Sequence, residues 1–124
     1  MLETLELSKE HGLVLNADNV RQRIMFICQC CKCCCATLQG ISKFGFPNTV
    51  VTSSFIAEVD DENCNGCGLC EKACPINAIE MVPIENPETK KKKQPVIDTG
   101  ICLGCGVCAL SCKFEGVHLT KRRQ

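Results

Sequence analysis

The chain has 124 residues and a mass of 13.6 kDa, with 14 cysteines, no tryptophan or tyrosine, and 14 basic residues against 14 acidic ones. That length holds one ordinary domain or a small domain with an appendage, and with the cysteines set aside only about a third of the residues are apolar, a core that needs covalent or metal cross-links. No apolar run approaches the ~20 residues that cross a bilayer, and the acidic start Met1–Glu6 lacks the character of an export signal. Zero net charge speaks against nucleic acid as a partner. The expectation is a cytoplasmic protein whose spaced thiols stay reduced and hold metal.

Residues 1–49 read as an extension with a partly helical character. Leu2, Leu5 and Lys9 follow a helical spacing that Gly12 ends. Leu13-Val14-Leu15 reads as a short buried piece and Asn16-Ala17-Asp18-Asn19 as a turn. Six cysteines then fall within eight positions: Cys28, Cys30, Cys31, Cys33, Cys34 and Cys35. Neighbouring side chains point to opposite sides of a strand and diverge by about 100° on a helix, so no single rigid element aims all six thiols at one centre. On a helix, Cys28, Cys31 and Cys34 would share a face, as would Cys30 and Cys33; a looped backbone would instead gather four. Residues 37–44 read as a helix stopped by Gly45 and Pro47. His11 and His118 lie outside any ionisable cluster and read as structural or solvent-exposed.

Residues 50–124 read as a second unit built on an internal repeat with an offset of 38. Asp60 aligns with Asp98, Gly66 and Gly68 with Gly104 and Gly106, and Cys64, Cys67, Cys70 and Cys74 with Cys102, Cys105, Cys108 and Cys112. Each half reads as strand, metal loop, short helix, strand. The strands are expected at 55–59, 78–82, 94–97 and 117–120, and the helices at 69–74 and 107–112. The stretch from Pro83 to Lys93, rich in turn formers and charge, reads as a solvated loop extending a hairpin.

Each run has the form C-x2-C-x2-C-x3-C. Three cysteines stepped in this way let one irregular loop wrap three corners of an Fe4S4 cube, while the fourth, on the following helix, points away. The glycines permit unusual backbone angles and a close approach of amide N–H groups to sulfur. Paired C-x2-C units also serve zinc ribbons, but four evenly stepped cysteines do not split into separated knuckles.

With two such runs placed symmetrically, residues 55–121 resemble the bacterial-type two-cluster ferredoxins. The resemblance implies an α+β, ferredoxin-like, pseudo-twofold dicluster fold with two short helices and two small antiparallel hairpins. It also implies two 4Fe–4S clusters, the first held by Cys64, Cys67, Cys70 and Cys112 and the second by Cys102, Cys105, Cys108 and Cys74. That family puts proline after the fourth cysteine of each run. Pro75 fits and Lys113 departs, which adds a positive charge beside a ligand of the first cluster.

The six-cysteine run lies outside that pattern. Its readings are buried free cysteines, a third iron–sulfur or other metal site with an undetermined ligand subset, or redox-active thiols or a sulfur-handling site. Lys32, Arg21 and Arg23 would favour thiolate there. A cysteine-dense run ahead of a ferredoxin pair resembles the C-terminal part of larger anaerobe-type iron–sulfur proteins, so the chain is expected to be a piece or stand-alone version of such a module. No C-x3-C-x2-C run of the radical-SAM kind occurs.

Charge is divided along the chain. Residues 58–88 hold eight acids and one base, and residues 90–124 hold eight bases and two acids. The expected function is single-electron relay between redox partner proteins, without a catalytic residue, a membrane span or nucleic acid. The rival expectations are a subunit of a larger oxidoreductase with a third centre at 28–35, and a metal or cluster carrier or redox sensor.

Overall fold

In the computed structural model, residues 1–46, 49–85, 88 and 91–123 are described. Helix α1 (Leu2–Glu10) ends in a left-handed turn at Gly12, φ 61°, where Gly12 N–H reaches Lys9 O at 3.0 Å. Its buried side centres on Ser8, 1% exposed, whose hydroxyl lies 2.8 Å from the Thr4 carbonyl and 2.6 Å from the Gln29 side chain. Leu2, part of the expected apolar spacing, faces solvent. Strand β1 (Val14–Ala17) pairs antiparallel with β2 (Ile27–Cys30), in a register that sets Val14 opposite Cys30 and Asn16 opposite Cys28.

One expectation for this extension is corrected, and of the two arrangements open to the cysteine run the helical one is excluded. Asn16 and Ala17 lie in a strand, because cross-strand pairing satisfies their backbone groups better than a local turn would. The turn begins at Asp18, whose carboxylate accepts the Met25 N–H at 3.2 Å. The cysteine run is strand and turn up to Cys35, so Cys28, Cys31 and Cys34 share no helical face. Helix α2 (Ala36–Phe44) follows and stops at Gly45, φ 66°; Pro47 lies outside the described residues.

The remaining elements fall within about two residues of their expected bounds: β3 Phe55–Val59, α3 Leu69–Ala73, β4 Ile79–Pro83, β5 Lys93–Ile97, α4 Val107–Ser111 and β6 Val117–Lys121. β4 and β5 form a hairpin with Ile79 opposite Ile97. The bond from Ile84 N to Lys92 O carries it one step further. Asn86, Pro87, Thr89 and Lys90 of the connecting stretch lie outside the described residues. The second expected hairpin is not one. β3 pairs with β6, the first strand of the unit with its last, in the register Phe55↔Lys121 to Val59↔Val117. Within each half the metal loop and short helix carry the chain away from its own first strand, so the free strand edges pair between the halves.

α3 packs on α4. The buried apolar side chains form one cluster that joins Val14, Leu38 and Ile41 of the extension to Ala57, Ile79, Leu103, Val107 and Val117. Cys70, Cys74, Cys102 and Cys108 belong to the same cluster. Much of the interior is therefore sulfur, and the packing depends on what those sulfurs hold.

Candidate metal centres

The entry to each cysteine loop is built in the same way. Asp60 N–H bonds to Gly116 O at 2.9 Å and Asp98 N–H to Ala78 O at 2.8 Å, which fastens each loop start to the other half. The Asp60 carboxylate accepts Glu62 N–H at 3.0 Å and Asn63 Nδ2–H at 2.7 Å, and Asp98 accepts Gly100 N–H at 2.9 Å. Their carbonyls accept Cys64 N–H at 2.9 Å and Cys102 N–H at 3.0 Å. Such local carboxylate-to-backbone bonds fix a turn without a regular element. The Glu62 N–H, with Asn63, holds the Asp60 carboxyl below its ordinary range.

Gly66 and Gly104 occupy the left-handed region at φ 74° and 67°. A side chain on Gly66 would run into the Lys93 carbonyl, and one on Gly104 into the Phe55 carbonyl and the Ser53 hydroxyl. Gly68 and Gly106, also left-handed, start α3 and α4.

Two hollows result. One is lined by Cys64, Cys67 and Cys70 of the first run together with Cys112 of the second. The other is lined by Cys102, Cys105 and Cys108 together with Cys74. Ala78 N–H points at Cys74 Sγ from 3.2 Å and Gly116 N–H at Cys112 Sγ from 3.3 Å. The residues just before them, Asn77 and Glu115, adopt left-handed angles of 57° and 54° that aim those N–H groups back at sulfur. These positions also correspond across the repeat. Gly116 cannot take a side chain easily, since a Cβ there would meet Cys64 Cα at 2.8 Å.

Burial pushes the Cys70 and Cys105 thiols up, and burial with crowding by Cys105, Cys74 and Cys102 pushes Cys108 up to about 12. Thiols gathered this closely are costly to ionise unless positive charge sits among them, and metal ions supply it. Four sulfurs, backbone donors and loops with no room for Cβ atoms fit an iron–sulfur cluster in each hollow.

Two residues that sequence reasoning passed over also hold the second loop. Arg122 Nη2 donates to the Cys102 carbonyl at 2.5 Å, and its backbone N–H bonds to Ser54 O at 2.8 Å. Ser53 N–H bonds to Leu103 O at 3.1 Å, and its hydroxyl donates to Gly104 O at 3.1 Å. In the sequence Arg122 counted only as part of a basic tail, and nothing in its spacing signals a partner 20 residues away.

The six-cysteine run is divided by its fold. Cys28 and Cys30, two apart on β2, share one side with Cys35 at the start of α2, and all three line a groove that also contains Cys105. Burial, helped by Cys35, raises the Cys30 thiol, whereas the N–H groups opening α2, that of Leu38 foremost, lower the Cys35 thiol. The sulfurs of Cys31, Cys33 and Cys34 converge elsewhere, all within 4.8 Å of one another, and Cys31 and Cys33 are within disulfide-bonding distance. Lys113 is exposed and lines a second groove with Cys31, Lys32 and His11. His118 on β6 lies 3.9 Å from Glu58, at the surface and away from both hollows.

Among the described residues, no helix is long and apolar enough to cross a membrane. A 33-residue stretch is 48% identical to an iron-sulfur subunit of the CoB–CoM heterodisulfide reductase of Methanopyrus kandleri; it covers 27% of this chain and 5% of that protein. The chain thus matches only a small part of a much longer relative. Residues 55–115 match the model of the 4Fe–4S dicluster domain family. This segment is a 4Fe–4S ferredoxin-type domain.

Proposed function

We propose that the chain is a single-electron carrier, or the electron-transfer subunit of a larger oxidoreductase, with two 4Fe–4S clusters in a pseudo-twofold domain spanning residues 50–124. Clusters bound in the two hollows would supply one-electron oxidation and reduction, with no bond made or broken in a substrate. The observation that supports this best is the composition of the hollows, each lined by three cysteines of one run and the fourth of the other. Cys64, Cys67, Cys70 and Cys112 would hold one cluster, and Cys102, Cys105, Cys108 and Cys74 the other.

The protein residues do the positioning. The Asp60 and Asp98 turns fix the loop starts, while Ala78 and Gly116 direct N–H groups at sulfur and so stabilise its negative charge. The acidic stretch 58–88 suits an encounter with a basic redox partner. The likeness to one component of a heterodisulfide reductase supports assembly with other proteins, and the thiol-rich composition supports a reducing, cytoplasmic setting.

Anaerobic reconstitution followed by iron and acid-labile sulfide analysis tests the reading, with about eight of each expected per chain for two such clusters. Four of each would reduce it to a single cluster. Zinc without sulfide would replace it with a structural metal protein.

A further inference from the structure

From the convergence of sulfurs at the β2–α2 turn, we infer that Cys31, Cys33 and Cys34 form a binding site for one thiophilic metal ion, separate from both clusters. The turn brings them together because β2 ends at Cys30 and the chain reverses before α2, with Cys35 N–H bonded to Cys31 O at 3.2 Å. Gln39 Nε2 holds the Cys33 carbonyl at 2.6 Å, and the Lys32 ammonium reaches across to the Lys72 carbonyl at the end of α3. The turn is thus fastened at both sides, and its three sulfurs, the Cys31–Cys33 pair and Cys34, project together.

The spacing decides what kind of centre fits. The three sulfurs lie within 4.8 Å of one another, and Cys33 and Cys34 are 3.6 Å apart. A Zn–S bond is about 2.3 Å long, so two thiolates on one ion stand at most ~4.6 Å apart. Thiolates at the corners of an Fe4S4 cube are held further apart, because irons and sulfides lie between them. The triad therefore suits a single ion, and thiolate ligands select zinc or Cu(I). Cys33 and Cys34 are exposed, which leaves a coordination position open to solvent or a fourth donor. Lys9, Glu10, Lys32 and Lys113 line the groove beside Cys31; Lys9 is paired with Glu6, and the positive charge of Lys32 and Lys113 favours the anionic complex.

Cys28, Cys30 and Cys35 take no part, since they lie along the other groove. Metal binding and a Cys31–Cys33 disulfide exclude each other, because both use the same two sulfurs. A phosphine reductant supplies two electrons and breaks the S–S bond; water gives the two thiol protons, and its oxygen goes to the phosphine oxide, so the pair is free before loading.

The test uses the full chain, reconstituted with clusters, reduced with a phosphine, given excess zinc and desalted anaerobically. Zinc and iron are then measured together. About one zinc per chain is expected in the natural chain and in the Cys28→Ser/Cys30→Ser/Cys35→Ser variant. In Cys31→Ser/Cys33→Ser/Cys34→Ser, zinc should fall at least tenfold while iron stays unchanged. The single variant Cys34→Ser, the mildest change, should weaken zinc binding by at least tenfold. Unchanged zinc in the Cys31/Cys33/Cys34 variant overturns the site, as does a loss of about four irons there, which would assign the triad to a cluster. Low iron in the natural chain with zinc still lost on removing the triad would contradict the dicluster reading and leave this site standing.

Discussion

A chain carrying Cys64→Ser with Cys112→Ser is expected to keep about half its iron, whereas Cys64→Ser with Cys74→Ser should keep almost none. Cys64 and Cys112 line one hollow, and Cys74 lines the other. Two substitutions at one cluster leave the second intact; two substitutions at different clusters disable both. If each run of four cysteines held its own cluster, the two results would exchange places. Iron analysis after anaerobic reconstitution distinguishes these outcomes, and the two variants change the same number of cysteines. The fourth cysteine sits at the end of its short helix, after α3 or α4, and those helices pack on each other, so each presents its last cysteine to the opposite loop.

Gly104→Ala should have the second large effect, loss of the second cluster with at least a tenfold fall in the fraction of chains that retain it. Gly45→Ala serves as the control. Both glycines adopt nearly the same left-handed angle, φ 67° and 66°, and that angle costs about 1–2 kcal/mol for a residue with a Cβ. At Gly45 nothing lies within 4 Å of the added methyl, so that cost is the whole effect. At Gly104 the methyl overlaps the Phe55 carbonyl and the Ser53 hydroxyl, which are held by the β3–β6 pairing and the Ser53–Leu103 bond. The loop must move, and Cys102 and Cys105 move with it. Full iron retention in Gly104→Ala would show that the loop tolerates displacement and that the close approach is not required. Gly66→Ala should do the same to the first cluster, because the Lys93 carbonyl stands in the way.

The repeat made the domain legible, because the chemistry is periodic. Asp60 and Asp98 bond to the N–H two residues on, and the four loop glycines carry the left-handed angles that their places in the runs implied. Strand bounds were readable from Val/Ile alternation around β3, β4, β5 and β6. The partner of β3 was not, since a local pattern records which residues form a strand but not which distant edge completes it. Asn16 and Ala17 show the same limit, as their turn propensity yields to pairing with Cys28 and Ile27. The six-cysteine run was legible as a chemical anomaly and no further. Its division into Cys28, Cys30 and Cys35 on one side and Cys31, Cys33 and Cys34 on the other depends on where β2 ends, and no glycine or proline marks that point. Arg122 was hidden for a related reason, since its contact with Cys102 exists only after β6 closes on β3.

The most direct test of the relay is an anaerobic reductive titration of the reconstituted chain, followed by its visible absorption. With the Cys31–Cys33 pair first reduced by a phosphine, uptake of two electrons per chain in one-electron steps, reversed on reoxidation of the clusters, is the predicted result for two 4Fe–4S clusters. Uptake of one electron, or none with the iron in place, would contradict it.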